Sequence, residues 1–172
     1  MRFEEYKRYF SPTSIGRYDI APIYAEIDIF ESLINDLIHP FKHEKIDKVV
    51  CIDALGFVLG SAIAVKMRKG LVLIRKEGKI PLGEKEMLKR EIIDYSGTIK
   101  ILELNKNLIK QEDRILLVDD WVETGTQMKA AISMIEELGG HVIGISSLGS
   151  EKNEKTQVLF EQYNLQAICV DV

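Results

Sequence analysis

The stretch RILLVDDWVETGTQ, Arg114 to Gln127, sets the reading of the whole chain. Ile115 to Val118 is a continuous apolar run, the pattern of a strand covered on both faces. Asp119 and Asp120 follow at once and are expected to close that strand. The small-residue segment Thr124-Gly125-Thr126-Gln127 then opens a helix. Met128, Ala131, Ile132, Ile135 and Leu138 recur on one face of that helix, and Gly139-Gly140 ends it.

The same alternation extends in both directions. Ile27, Phe30, Ile34, Leu37 and Ile38 have helical spacing, Lys48–Ile52 is a short β-branched run, and Gly56–Met67 is a helix rich in small residues. Leu71–Ile74, Val142–Ser146 and Ala167–Val170 read as strands and Lys155–Tyr163 as a helix. Ile92–Tyr95 and Ile99–Leu104 form an antiparallel pair around the turn signal Ser96-Gly97. Strands alternating with helices predict an α/β fold, a mostly parallel sheet with helices on both faces. Arg75–Arg90, RKEGKIPLGEKEMLKR, is rich in Lys, Glu, Gly and Pro and is expected to be a long mobile loop.

At 172 residues, 46% apolar and 29% charged, the chain fits one domain spanning 1–172. A net charge of -4 without a basic face argues against nucleic acid. No apolar run approaches the roughly 18 residues of a membrane span, and MRFEEYKRYF is too charged for a signal peptide. Cys51 and Cys169 lie in apolar runs without metal-ligand spacing and are expected to be buried, in a reducing cytoplasm. The three histidines have no partners at catalytic or metal spacing. No Gly-x-Gly-x-x-Gly follows an early strand, which removes a dinucleotide-binding fold.

In open α/β sheets, ligands bind beyond the carboxyl ends of the strands. An acidic pair there suits ribose hydroxyls or Mg²⁺. The N–H groups that open the following helix suit a phosphate, with Gly125 allowing close approach and the threonines adding donors. Diol beside anion predicts a ribose 5-phosphate. The plainer alternative is a strand end followed by an ordinary Thr124 helix cap.

ILLVDDWVETGTQ resembles the ribose-phosphate loop of the type I phosphoribosyltransferases, and CIDALGFVLGSAIAVKMRKGLVLIRKEGKIP is similar to a segment of their adenine-specific branch. The resemblance implies transfer of ribose 5-phosphate from phosphoribosyl pyrophosphate to a purine, with Mg²⁺, in a homodimer. It assigns Asp119 and Asp120 to the ribose hydroxyls, with an indirect part in holding the metal, and Glu123 to Gln127 to the 5-phosphate. Arg75, Lys76 and Lys79 match the basic residues at the pyrophosphate, beside Ala54 and Leu55. Residues 1–23 would form a small hood and 75–96 a flexible lid that excludes water. Tyr18, Asp19 and Tyr95 fall at the base pocket.

The chain departs from that family at several places. Leu55 stands where the family carries arginine, Tyr18 stands at a second arginine, and Gln127 replaces a hydroxylated residue. Two acids compete to manage the base proton, Asp94 in DYSG and Glu123, where 6-oxopurine transferases carry an acid. Trp121 reads as a packing residue or a stacking surface. A binding protein that only senses phosphoribosyl pyrophosphate or a nucleotide is the competing class, favoured by Leu55 and Gln127. The cations and the lid favour an enzyme.

Overall fold

The computed structural model describes residues 3–12, 18–93 and 97–171. A helical turn, α1 (Phe3–Tyr6), leads to an antiparallel ribbon of β1 (Ser11–Pro12) and β2 (Tyr18–Asp19), then to α2 (Ala21–Ala25) and α3 (Ile27–Ile38). The main body follows as β3 (Lys48–Ile52), α4 (Leu55–Met67), β4 (Gly70–Lys76), β5 (Met87–Ile93), β6 (Ile99–Asn105) and β7 (Arg114–Val122). It is completed by α5 (Thr126–Glu137), β8 (His141–Glu151), α6 (Gln157–Gln162) and β9 (Leu165–Asp171).

Seven strands form one sheet in the order β5-β6-β4-β3-β7-β8-β9. The pairs from β4 through β9 are parallel, while β6 joins β4, and β5 joins β6, in antiparallel sense. From β3 the chain winds one way to β4 and then the other way to β7. That reversal opens a crevice at the carboxyl ends of β3 and β7.

One core lies on each face of the sheet. Val50, Ile52, Ile115 and Leu117 bury against Met128, Ile132 and Ile135 of α5 and Leu159 of α6. Val49, Cys51, Leu116 and Val118 bury against Leu33, Ile34 and Leu37 of α3 and Leu59 and Ile63 of α4. The expected α/β architecture holds, and both cysteines are buried. Alternate residues of each central strand feed opposite cores, which is why these strands read as unbroken apolar runs.

Three sequence expectations change. Asp119 and Asp120 do not close β7, which continues to Val122 because β8 runs beside it, pairing Asp119 with Ser147, Trp121 with Gly149 and Val122 with Ser150. The Trp121 ring fills the space over Gly149, where a Cβ would lie 2.2 Å from it. Arg75–Arg90 is not a single loop. Arg75 and Lys76 finish β4, and Met87–Arg90 belong to β5, leaving 77–86 between the strands. The charges that resembled a loop are partnered: Lys89 lies 3.6 Å from the Glu103 carboxylate, and Arg90 pairs with Glu137. The last helix is shorter than Lys155–Tyr163, because the Asn153 side chain accepts from the N–H groups of Lys155 and Thr156 and holds a turn there.

Helix α4 lies unusually close to β3. A Cβ on Gly60 would sit 2.6 Å from Cys51 Cβ and 2.8 Å from its Sγ. Gly60→Ala therefore overpacks the seam, at a cost of about 1–3 kcal/mol. For a chain of this size that is a fall of roughly 2–10 °C in melting temperature, measurable by calorimetry. An unchanged melting temperature would show that the α4–β3 seam has slack.

Candidate active site

The crevice at the sheet reversal is a cleft of about 290 Å³. The turn after β3 contributes Asp53, Ala54 and Leu55, and the end of β4 contributes Lys76. Lys100 comes from β6. The opposite wall is the continuous segment from Asp119 to Met128, formed by the end of β7, the following turn and the first residues of α5.

Asp119 is buried, 7% exposed, while Asp120 is half-buried. A Cβ on Gly56 would lie 2.7 Å from Asp119 Oδ1, so glycine at this first turn of α4 is what leaves room for the carboxylate. The Asp120 N–H donates to Asp119 Oδ1 at 3.0 Å. Burial, then the neighbouring Asp120 charge, pushes the Asp119 carboxyl well above the usual carboxylate range, and the Lys76 ammonium opposes this more weakly. A carboxyl so placed gains from any donor or cation entering the cleft.

The turn beyond the strand is built for an anion. Gly125 has φ of 70°, a left-handed conformation that glycine adopts without strain. A Cβ there would also meet Leu159 Cδ1 at 2.9 Å. Gly125 holds the N-cap position of α5, and the Thr126 N–H that opens the helix donates to the Thr124 hydroxyl at a long 3.5 Å. Thr124 thus stands one residue before the cap position and reaches the helix start only through this long contact. The Thr124 and Thr126 hydroxyls lie 3.0 Å apart at the cleft wall. Helix geometry leaves the first N–H groups of α5 without intrahelical acceptors, beside those hydroxyls.

All residues expected at the ribose phosphate, Asp119, Asp120 and Glu123 to Gln127, line the cleft together, with Ala54 and Leu55 opposite. Among the three expected cations only Lys76 lines it. Arg75 is the cross-strand partner of Glu103, and its Nη1 donates to the Lys79 backbone carbonyl at 3.0 Å, outside the cleft lining. Tyr18 and Asp19 are exposed on the β2 ribbon, where the Tyr18 ring packs 5.7 Å from Phe10. They do not line the cleft. Tyr24 of α2 connects them to it. Its hydroxyl is buried, and its acidity is suppressed first by burial and then by Asp120, Asp119 and Asp19. Asp94 and Tyr95 lie outside the described residues.

Asp53, Lys100 and Met128 join the cleft without having been expected. Lys100 alternates with apolar residues along its strand, so only the register of the sheet reveals it. Trp121 both packs over Gly149 and lines the cleft. Among the described residues no cluster of three or more His, Cys, Asp or Glu side chains forms a metal cage. Mg²⁺ does not require one, since it keeps several waters and binds through one or two carboxylates plus substrate phosphates. The Asp119–Asp120 pair fits that donor set.

The suppressed acidity of Asp119 has a consequence for the ligand-free protein. The folded chain holds a proton that the unfolded chain releases at its ordinary value of about 4. Stability should therefore fall as pH rises from about 4 through the raised value. Asp119→Asn removes that titration. Its melting temperature is expected to change less than wild type between about pH 4 and pH 8 and to exceed wild type at the upper end. Parallel profiles would show that another group carries the dependence.

Comparison with known proteins agrees with this geometry. Residues 18–168 match the family model described as the phosphoribosyl transferase domain. The adenine phosphoribosyltransferase of Geobacter metallireducens is 38% identical over 125 residues, covering 73% of this chain and 71% of that protein. A crystal structure of adenine phosphoribosyltransferase from Thermoanaerobacter pseudethanolicus superposes with a TM-score of 0.88 at 27% identity, covering 98% of this chain and 99% of that one. The Saccharomyces cerevisiae adenine phosphoribosyltransferase, complexed with an imino-altritol bisphosphate and adenine, gives 0.77 at 25% identity over 98% and 97%. A sheet that reverses at an acidic, anion-binding crevice and this sequence similarity lead to one assignment: the chain belongs to the phosphoribosyltransferase family.

Proposed function

We propose that the protein transfers the 5-phosphoribosyl group of phosphoribosyl pyrophosphate to adenine, releasing pyrophosphate. The carrying observation is the single wall that joins the Asp119–Asp120 carboxylates to the Thr124–Gln127 anion turn, with Lys76 across the cleft. The carboxylates accept from the ribose hydroxyls, and the turn receives the 5-phosphate. A base nitrogen attacks the anomeric carbon as the bond to pyrophosphate breaks, with the electron pair leaving on the pyrophosphate. Lys76 offsets the negative charge that develops there. Mg²⁺, held by Asp119 and Asp120 with the diphosphate, would supply further charge neutralisation. Relatives named for catalysis leave the sensor alternative without support.

Glu123 is the acid–base group in this reading. It lines the cleft immediately before the anion turn, where a carboxylate can take the ring proton as the base is joined. Cysteines buried as small apolar residues suit a reducing, cytoplasmic setting. No helix among the described residues is long and apolar enough to cross a membrane. A homodimer is supported by an unpartnered stripe on α4. Val58 and Val65 are 37% and 80% exposed, two turns apart on one face, and a second copy would bury them. Val65→Asp is then expected to shift the protein from dimer to monomer in analytical ultracentrifugation, and an unshifted dimer would place the interface elsewhere.

Single-turnover assay with phosphoribosyl pyrophosphate, Mg²⁺ and a panel of adenine, hypoxanthine and guanine tests the reaction. Pyrophosphate release is expected with adenine. Release with no base would overturn the transferase reading, and release with a 6-oxopurine alone would overturn the choice of adenine. Glu123→Gln is expected to slow the chemical step by roughly 10²–10⁴-fold. If Asp94→Asn does so while Glu123→Gln stays at the wild-type rate, the proton belongs to Asp94.

A further inference from the structure

Resting on that reading, we infer that Lys100 is the second cation of the pyrophosphate subsite and replaces the guanidinium that Leu55 cannot supply. The acidic residues lining the cleft are Asp53, Asp119, Asp120 and Glu123, and the basic ones are Lys76 and Lys100. A diphosphate leaving group carries several negative charges and needs cations around it. Leu55 offers only an exposed aliphatic side chain at the cleft wall, the Arg75 guanidinium donates to the Lys79 carbonyl, and neither Arg75 nor Lys79 lines the cleft.

The register of the sheet places Lys100 where a second cation is required. β4 and β6 are antiparallel, with Arg75 opposite Glu103 and Lys76 opposite Leu102. Directly paired residues share a face, and residues two apart on a strand share it too. Lys100 is two residues from Leu102 and therefore projects on the same face as Lys76, about 7–8 Å away as a diagonal neighbour. Arg75 and Glu103 project on the opposite face. The pairing continues one rung past β4, where the Glu77 N–H donates to the Ile101 carbonyl at 3.0 Å. The backbone beside Lys100 is thereby fixed, so both lysines are rooted on a hydrogen-bonded edge of the cleft that also contains the anion turn.

The test is calorimetric binding in the presence of Mg²⁺, with three ligands: pyrophosphate, phosphoribosyl pyrophosphate and adenosine monophosphate. The variants are Lys100→Met, which keeps the chain length and removes the charge, and Lys100→Arg, which keeps the charge. Lys100→Met is expected to weaken pyrophosphate and phosphoribosyl pyrophosphate roughly ten- to hundred-fold. Adenosine monophosphate, which has no diphosphate, should bind within about twofold of wild type, and Lys100→Arg should recover most of the loss. Equal weakening of all three ligands, or unchanged pyrophosphate binding, would overturn the role of Lys100. Wild-type protein that binds none of the three would instead overturn the transferase reading itself. A melting temperature for Lys100→Met near wild type confirms that the comparison is made on folded protein.

Discussion

A carboxyl group held almost dry where β3, β7 and α4 meet is the constraint on which the rest of the site depends. Asp119 occupies that position because Gly56 leaves space beside it and because β7 stays paired with β8 past the point where its apolar run ends. Burial of a carboxylate disfavours its charged form, so the free protein carries an unfavourable site that substrate hydroxyls or a cation can satisfy. The two apolar cores make this tolerable, since they fix both strands and both flanking helices independently of the cleft. The polar edge is thus preorganised by packing that does not touch the substrate.

Opposite that wall, the edge strands sort charge by face. Arg75, Glu103 and Lys89 form one cross-strand row on the side away from the cleft, with Glu103 1% exposed between two cationic neighbours. Lys76 and Lys100 belong to the other face. A chain segment dense in Lys, Arg and Glu is therefore divided by strand pairing into a structural row and a cleft row. The same charges placed on a loop would have no such division.

The central strands and helices were legible because their burial leaves a direct imprint on residue type. Lys48–Ile52 and Ile27–Ile38 have the bounds their patterns predict. The ribose-phosphate wall was legible for a different reason: its residues are contiguous, so one motif contains the whole feature. What resisted reading depends on contacts distant in sequence. β7 continues through Asp119 and Asp120 because β8 lies alongside, and β5 contains Met87–Arg90 because β6 pairs with it. Lys100 enters the cleft through a register that local composition does not encode. Conversely, Arg75 and Lys79 have the spacing of cleft residues, yet neither lines the cleft, and strand alternation puts Arg75 on the face opposite Lys76.

The segment 77–86 leaves the sheet through a fastened root. The Gly78 N–H donates to the buried Glu103 carboxylate at 3.0 Å, immediately after the last rung at Glu77. Gly78 has φ of 76°, so the chain turns sharply there at little conformational cost. The fastening separates two mechanical tasks. The change of direction is taken by the turn at Gly78, while Lys76 stays within the hydrogen-bonded edge. The position of the Lys76 backbone is therefore set by the sheet and not by the course the chain takes between β4 and β5.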